Sequence, residues 1–340
     1  MKQAALRLHD FSENMLRFKL ATRIAETLYK DINVVAVGLC GSVVRGESTQ
    51  GSDLDLIVVV RKAAQPKRIV TSSKKGAKTQ VSFLTVGFLT SFVSKRRATD
   101  WFDYRLITRL RETAFLFSKE PEWTIRLIQE VAMIRPTRSF LETLRRRAFE
   151  YLSSGRRYLK ERNNEMATLA FRGCLECIRR LAFASTLKEF GGHKWGLVRL
   201  KMLDNSLYRD YVATFARTKQ DPRENVHYLG TIIATLKRRR PRFKNLADRD
   251  IDILTDILQD TRDMIALGRI TEAKVILAQT SLVMYLPSFS LPISPRKHPG
   301  LAQLILRASM LNDLETMEVV RIFNAAEQSY KFALSNRQPG

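Results

Sequence analysis

Cysteine is scarce in this chain: only Cys40, Cys174 and Cys177 occur among 340 residues. Three thiols cannot build the disulfide framework of a small secreted domain, so a reducing interior is expected. Long apolar runs are missing too. No stretch approaches the roughly 18 apolar residues that a membrane-spanning helix requires, and no membrane partner is expected. The opening stretch, MKQAALRLHDFSENMLRFKL, has no continuous apolar h-region and carries Asp10 and Glu13. That argues against a secretory signal and against a mitochondrial presequence, leaving the cytoplasm as the expected location. Acid is the third shortage. Neither Asp nor Glu occurs from residue 56 to 99, while residues 61–99 hold ten Lys or Arg.

What is present is a globular composition, 45% hydrophobic and 9% aromatic, in a chain long enough for two or three domains. The formal charge is +24. Self-repulsion of that size is relieved when a polyanion neutralises it, so RNA is the expected partner. The basic residues form separated clusters rather than one tag. They mark Arg96 and Arg97, then Arg145, Arg146, Arg156 and Arg157 in a helical stretch, then Arg238 and Arg239, as candidate nucleic-acid contacts.

Periodicity organises the chain. Leu6, Phe11, Met15, Phe18, Ala21 and Ile24 predict a helix over residues 3–30. Residues 33–39, 54–60, 80–86 and 114–117 are short β-branched or aromatic runs and predict strands, with a helix over 88–97. Residues 61–79 read as a basic connecting segment. This half is therefore α/β, a mixed sheet flanked by helices. From residue 137 the pattern is helical. Two helices are expected before Gly191-Gly192, with further ones over 196–218, 224–238, 248–267, 270–284 and 301–334 and a Pro/Ser-rich connector at 286–300. Domain boundaries are expected at 1–134, 135–215 and 216–340.

One constellation carries chemistry. Gly41-Ser42 follows the first strand, and a glycine and a small hydroxyl residue there let the backbone turn and present amides to a phosphate. Asp53 and Asp55 stand at the head of the next strand, where alternation puts both carboxylates on one face. Paired hard oxygens suit Mg²⁺, which takes its remaining ligands from water and substrate phosphates. A Gly-Ser pair with Asp-x-Asp at this spacing arises by chance about 0.02 times in a chain of this length.

The segment GLCGSVVRGESTQGSDLDLIVVV resembles the signature of the DNA-polymerase-β-like nucleotidyltransferases, GS-x-x-R-G followed by D-x-D. It is most similar to the small prokaryotic branch, the minimal and kanamycin-nucleotidyltransferase-like proteins, which join a compact catalytic domain to a helical bundle. The resemblance implies a nucleotidyltransferase fold with an all-α C-terminal region, and transfer of a nucleoside monophosphate from an NTP, ATP first among them, to a hydroxyl. It further implies that Gly41 and Ser42 hold the terminal phosphates, and that Arg45 supports the phosphates or the local fold. Asp53 and Asp55 would then be the catalytic pair, holding one or two Mg²⁺ or Mn²⁺ ions.

The family places a third carboxylate on a later central strand. Here that strand reads QVSFLTV, the expected position falls near Ser82, and Asp100 and Asp103 are the next acids. Weaker signals are read as structure: Cys174 and Cys177 lie inside a helical stripe rather than in a zinc site. Arg223 and His227 resemble the Arg–His pair of HEPN ribonucleases but stand one residue too close together. Trp101, Phe102 and Tyr104 beside Arg96 and Arg97 are candidates for base stacking, although such residues more often belong to a core.

The acceptor expected from charge is RNA, tRNA-like, rather than a cationic small molecule. A catalytically degenerate RNA- or ribonucleoprotein-binding scaffold is the rival reading, and AMPylation of a protein partner is a further one.

Overall fold

The computed structural model describes residues 2–48, 52–62, 68–72, 78–186, 193–216, 220–239, 248–285, 299–311 and 315–335. The chain divides into two compact units, residues 1–140 with 187–189, and residues 141–186 with 190–340. The expected connector at 286–300 and the glycine pair at 191–192 lie outside the described residues, apart from 299 and 300.

In the first unit, helix α1 (Lys2–Tyr29) leads into β1 (Val34–Cys40), β2 (Leu54–Val60), β3 (Arg68–Ser72) and β4 (Lys78–Thr85). Then come α2 (Val86–Ser94), β5 (Arg97–Ala98), α3 (Trp101–Arg111), β6 (Ala114–Ser118), α4 (Pro121–Met133) and β7 (Arg135–Pro136). The main sheet has five strands in the order β3-β4-β2-β1-β6. It is mixed: β2 runs parallel to β4, and the other pairings are antiparallel.

Every residue of β1 is buried and β2 nearly so, because helices cover both faces of the central strands. Ala21 and Ala25 of α1 close one face over Val37, Leu39, Leu54, Leu56 and Val58. The opposite alternation set, headed by Asp53 and Asp55, therefore belongs to the other face.

Strand β3 corrects the reading of 61–79 as mere connection. It is a five-residue edge strand, and edge strands carry the basic and polar residues that mask the strand pattern.

The second unit is helical: most of α5 (Arg138–Lys160), then α6 (Asn164–Thr186), α7 (His193–Leu203), α8 (Asn205–Phe215), α9 (Pro222–Arg239) and α10 (Asp248–Ala266). It ends with α11 (Ile270–Ala278), α12 (Thr280–Tyr285), α13 (Pro299–Ala308) and α14 (Thr316–Ser335). Three expected long helices are each divided in two. Asp204 accepts from Leu207 N at 2.9 Å and starts α8 where continuation of α7 was expected. Gln279 separates α11 from α12, and Met310, at a φ of 54°, follows the end of α13.

Helix α6 is buried around most of its circumference from Ala167 to Ala184, which makes it the central helix of this unit. No described helix is long and apolar enough to cross a membrane.

Candidate nucleotide site

Strand β1 ends at Cys40, which is in register with Asp55 of β2. The chain then turns at Gly41, whose φ is +80°. A methyl group placed on Gly41 would lie 2.6 Å from Asp55 Oδ2. Glycine is thus required twice, by the left-handed backbone and by the carboxylate pressed against it.

Residues 41–46 coil in successive turns, with Arg45 N, Gly46 N and Glu47 N donating back to Gly41 O, Val43 O and Ser42 O. The amides of Ser42, Val43 and Val44 donate to no carbonyl among the described residues, and the half-buried Ser42 hydroxyl has no partner there either. An N-terminal turn of this kind suits a phosphate.

The loop is held from outside. Asn14 of α1 donates to Val43 O at 3.1 Å and accepts from Ser48 Oγ at 2.5 Å, while Arg17 donates to Ser52 O. Arg45 has both arms occupied, by Glu47 and by Glu112 at the end of α3, each at 2.7 Å. Its guanidinium braces the loop against α3. These pairs show Arg45 supporting the local fold.

Asp53 and Asp55 share the face opposite α1. Gln80 of β4 shows this directly, because its Cα is in register with Asp55 while its side-chain amide donates to Asp53 Oδ2. The position flanking the acids is therefore Gln80 rather than Ser82, which is in register with Ile57 one step deeper in the sheet. The expected location near Ser82 was off by one alternation step. An amide offers a neutral oxygen and donors where the family pattern has a carboxylate.

Asp100 and Asp103 do not supply the missing acid. Asp100 caps α3 by accepting from Asp103 N at 2.8 Å, and Asp103 accepts from Thr99 N and Oγ1 at 2.9 and 2.7 Å.

Arg109 is the residue that sequence reasoning missed. From α3 it donates through Nη2 to Asp55 Oδ1 at 2.6 Å and through Nε to Cys40 Sγ at 3.2 Å. No local signal distinguishes it from the other arginines of that helix. Beside it, burial foremost pushes the Cys40 thiol up to about 11, so it is un-ionised at neutral pH.

The donor set fits one Mg²⁺. Asp55 Oδ2 lies on the Gly41 side while Oδ1 takes Arg109, and Asp53 and Asp55 would hold the ion while substrate phosphates and water would supply its remaining ligands. No cluster of three acidic, His or Cys ligands occurs among the described residues, so substrate and water would have to supply the rest of any cation's shell.

The other candidates scatter. Arg96 and Arg97 are exposed. Tyr104 is 1% exposed and stacks on Trp101 at 5.2 Å, so it belongs to the core, whereas Phe102 is 63% exposed. In the second unit Arg146, Arg157 and Arg238 are exposed, while Arg145 is half-buried against Glu142 at 2.6 Å and Arg156 is bonded to Glu327. The side chain of Arg239 lies outside the described residues. Cys174 and Cys177 are buried. His227 is an exposed residue of α9.

A mixed sheet with a left-handed Gly-Ser turn set against an aspartate pair defines a domain of the nucleotidyltransferase class. Residues 20–108 match the family model of the nucleotidyltransferase domain. The match spans Gly41, Ser42, Asp53, Asp55 and Gln80, and stops one residue before Arg109. None of the curated proteins matches. Among solved structures, the chain is similar to a nucleotidyltransferase-like protein from Exiguobacterium sibiricum 255-15, with 13% identity, coverage of 87% of this chain and 90% of that one, and a TM-score of 0.35.

Proposed function

We propose that the first unit moves a nucleoside monophosphate from an NTP, ATP first among them, to a hydroxyl of a tRNA-like RNA, with one Mg²⁺ or Mn²⁺ held by Asp53 and Asp55. The observation that carries this reading is the contact of Asp55 with Gly41, which joins the acid pair to the open amides of Ser42–Val44. Those amides and the Ser42 hydroxyl hold the terminal phosphates. The bound cation supplies neutralisation of phosphate charge. Arg109 keeps Asp55 oriented toward the turn. Phosphoryl transfer depends mainly on positioning and electrostatics, so a site with two acids and no carboxylate base is slowed rather than silenced. RNA is favoured as acceptor by the charge of +24.

A nucleotide-binding scaffold for RNA or a ribonucleoprotein is the second reading. It is favoured by a specific observation: Arg109 and Gln80 already engage both acids.

Incubation of the full chain with α-labelled NTPs, Mg²⁺ and total RNA or lysate separates the two. Label on RNA that disappears in Asp53→Ala and Asp55→Ala is expected. Label on a protein instead identifies AMPylation. Salt-sensitive RNA binding without any label transfer sinks the enzyme reading in favour of the scaffold. Gln80→Glu adds a carboxylate beside Asp55 and is expected to raise transfer about a hundredfold, the lower end of what a positioned acid–base group contributes.

A further inference from the structure

Helix α6 of the second unit carries a fully buried guanidinium, Arg172, with no carboxylate partner among the described residues. Helix α6 carries Arg172, Glu176 and Arg179, each at most 5% exposed, with Arg180 beside them. Glu176 serves one end of this row: it accepts from Arg179 Nε at 2.9 Å and Nη2 at 3.1 Å, from Arg180 Nε at 2.9 Å and from Tyr211 Oη at 2.9 Å. Glu176 thus serves Arg179 and Arg180, and none of these bonds reaches Arg172.

Arg172, one turn earlier, has no carboxylate. Its single short hydrogen bond goes from Nη1 to Ser309 O at 3.0 Å. Contacts to Ser281 Oγ and Phe215 O, both 3.5 Å, are at the limit of a hydrogen bond, and Nε has no partner. Its guanidinium also lies 5.4 Å from the centre of the Phe215 ring.

Residues that touch Arg172, or adjoin in sequence those that do, repeat the deficit. Three buried hydroxyls lack a partner among the described residues: Ser309 Oγ, Thr214 Oγ1 and Thr280 Oγ1. Ser309 itself accepts from Arg172, Thr214 precedes Phe215, and Thr280 precedes Ser281. All three are 0% exposed. An orphaned Nε on a fully buried cation, with three more orphaned hydroxyls on residues that touch it or adjoin in sequence those that do, departs from the usual pattern of buried groups, which find partners or an ion. An uncompensated interior charge is among the most destabilising features that a core can contain.

We propose that the second unit binds a monoatomic anion of chloride size at Arg172, held by the Nε and Nη donors and by the neighbouring hydroxyls. The donor chemistry fits, because guanidinium N–H groups only donate and hydroxyls can rotate to do so. A single atom fits better than an oxyanion, since Ser309 O, Ser281 Oγ and Phe215 O already crowd the guanidinium within 3.5 Å. The ion supplies the counter-charge that Arg172 lacks and ties α6 to the segments that carry Phe215, Ser281 and Ser309.

The full chain is refolded from urea at constant ionic strength, with sodium chloride replaced stepwise by sodium gluconate, and its thermal midpoint is measured. A saturable rise of about 5 °C is expected at chloride far above the dissociation constant. General screening of the basic surface adds a drift common to all variants, so the reading is the difference between variants. Arg172→Met, of similar length and without charge, loses the saturable component, and Ser309→Ala shifts its midpoint to higher chloride. Wild-type protein insensitive to chloride, or the same saturable rise in Arg172→Met, overturns the proposal, as does a larger rise with sulfate than with chloride. Should Arg172→Met not fold, crystals of the wild-type chain in bromide decide: an anomalous peak beside Arg172 Nε is expected, and its absence is equally fatal.

Discussion

At Gly41 two independent penalties meet on one atom. A side chain there would hold φ at +80°, and its Cβ would lie 2.6 Å from Asp55 Oδ2. The first penalty alone is about 1–2 kcal/mol for an L-residue in the left-handed region. The second cannot be relieved by the glycine side, so the carboxylate must rotate away. Gly41→Ala is therefore expected to lose about 1–3 kcal/mol in urea denaturation and to weaken NTP binding at least tenfold by calorimetry. Retention of full NTP affinity with only the stability loss would detach the turn from the acids and remove the core of the functional reading.

The juxtaposition of Gly41 with Asp55 is legible in the sequence because both lie within one hairpin. Gln80 and Arg109 are set by strand register and by a helix that returns some fifty residues later, as their bonds to Asp53 and Asp55 show. Alternation could have pointed to Gln80, a buried polar residue two steps before Ser82, but only register told which residue stands beside Asp55.

Among elements, α5 and α6 pack so closely that Gly155 has no room for a side chain. A methyl on Gly155 would lie 2.2 Å from Cε1 of Phe171, which is 0% exposed. In a helix interior, Gly→Ala ordinarily gains about 1 kcal/mol. Overpacking a core costs about 1–3 kcal/mol, and with the phenyl ring confined the second effect wins. Gly155→Ala is expected to destabilise the chain, with paired Gly155→Ala/Phe171→Leu recovering part of the loss. A net gain in stability would mean that the two helices can separate without cost.

Helix α6 also sets a response to acid. Although burial alone would raise it, Arg179 and Arg180 hold the Glu176 carboxyl well below the usual carboxylate range. A depressed folded value contributes stability that is fully present above the unfolded value of about 4.3 and is lost as pH falls below it. Glu176→Gln should flatten stability below that pH and, by leaving Arg179 without its carboxylate, cost about 3–5 kcal/mol at neutral pH. Unchanged acid sensitivity in this variant would place the titrating group elsewhere. Helical stripes predicted the existence of α6 but could not reveal buried arginines, which break the very pattern being read. The division of three long helices was hidden for a related reason: an internal Asp204, Gln279 or Met310 interrupts hydrogen bonding without interrupting apolar spacing.

For the molecule as a whole, net charge and available charge differ. The chain carries +24, yet several of its arginines are spent internally: Arg45 on Glu47 and Glu112, Arg109 on Asp55, Arg179 on Glu176. Adjacent residues of α5 make the contrast testable. Both are exposed, but Arg156 is bonded to Glu327 and lies 5.4 Å from the Phe323 ring centre, while Arg157 has Tyr158 beneath it at 5.1 Å. Counterion release is governed by cations that reach phosphates, each adding about 0.7–0.9 to the slope of log affinity against log salt. Under the RNA reading, Arg157→Ala should reduce that slope by nearly one such increment, whereas Arg156→Ala should leave it almost unchanged. Filter binding with a structured RNA across a salt series measures both slopes. Equal reductions would show that Arg156 leaves Glu327 for the nucleic acid, and a flat salt dependence in the wild-type chain would deprive the excess charge of the role assigned to it.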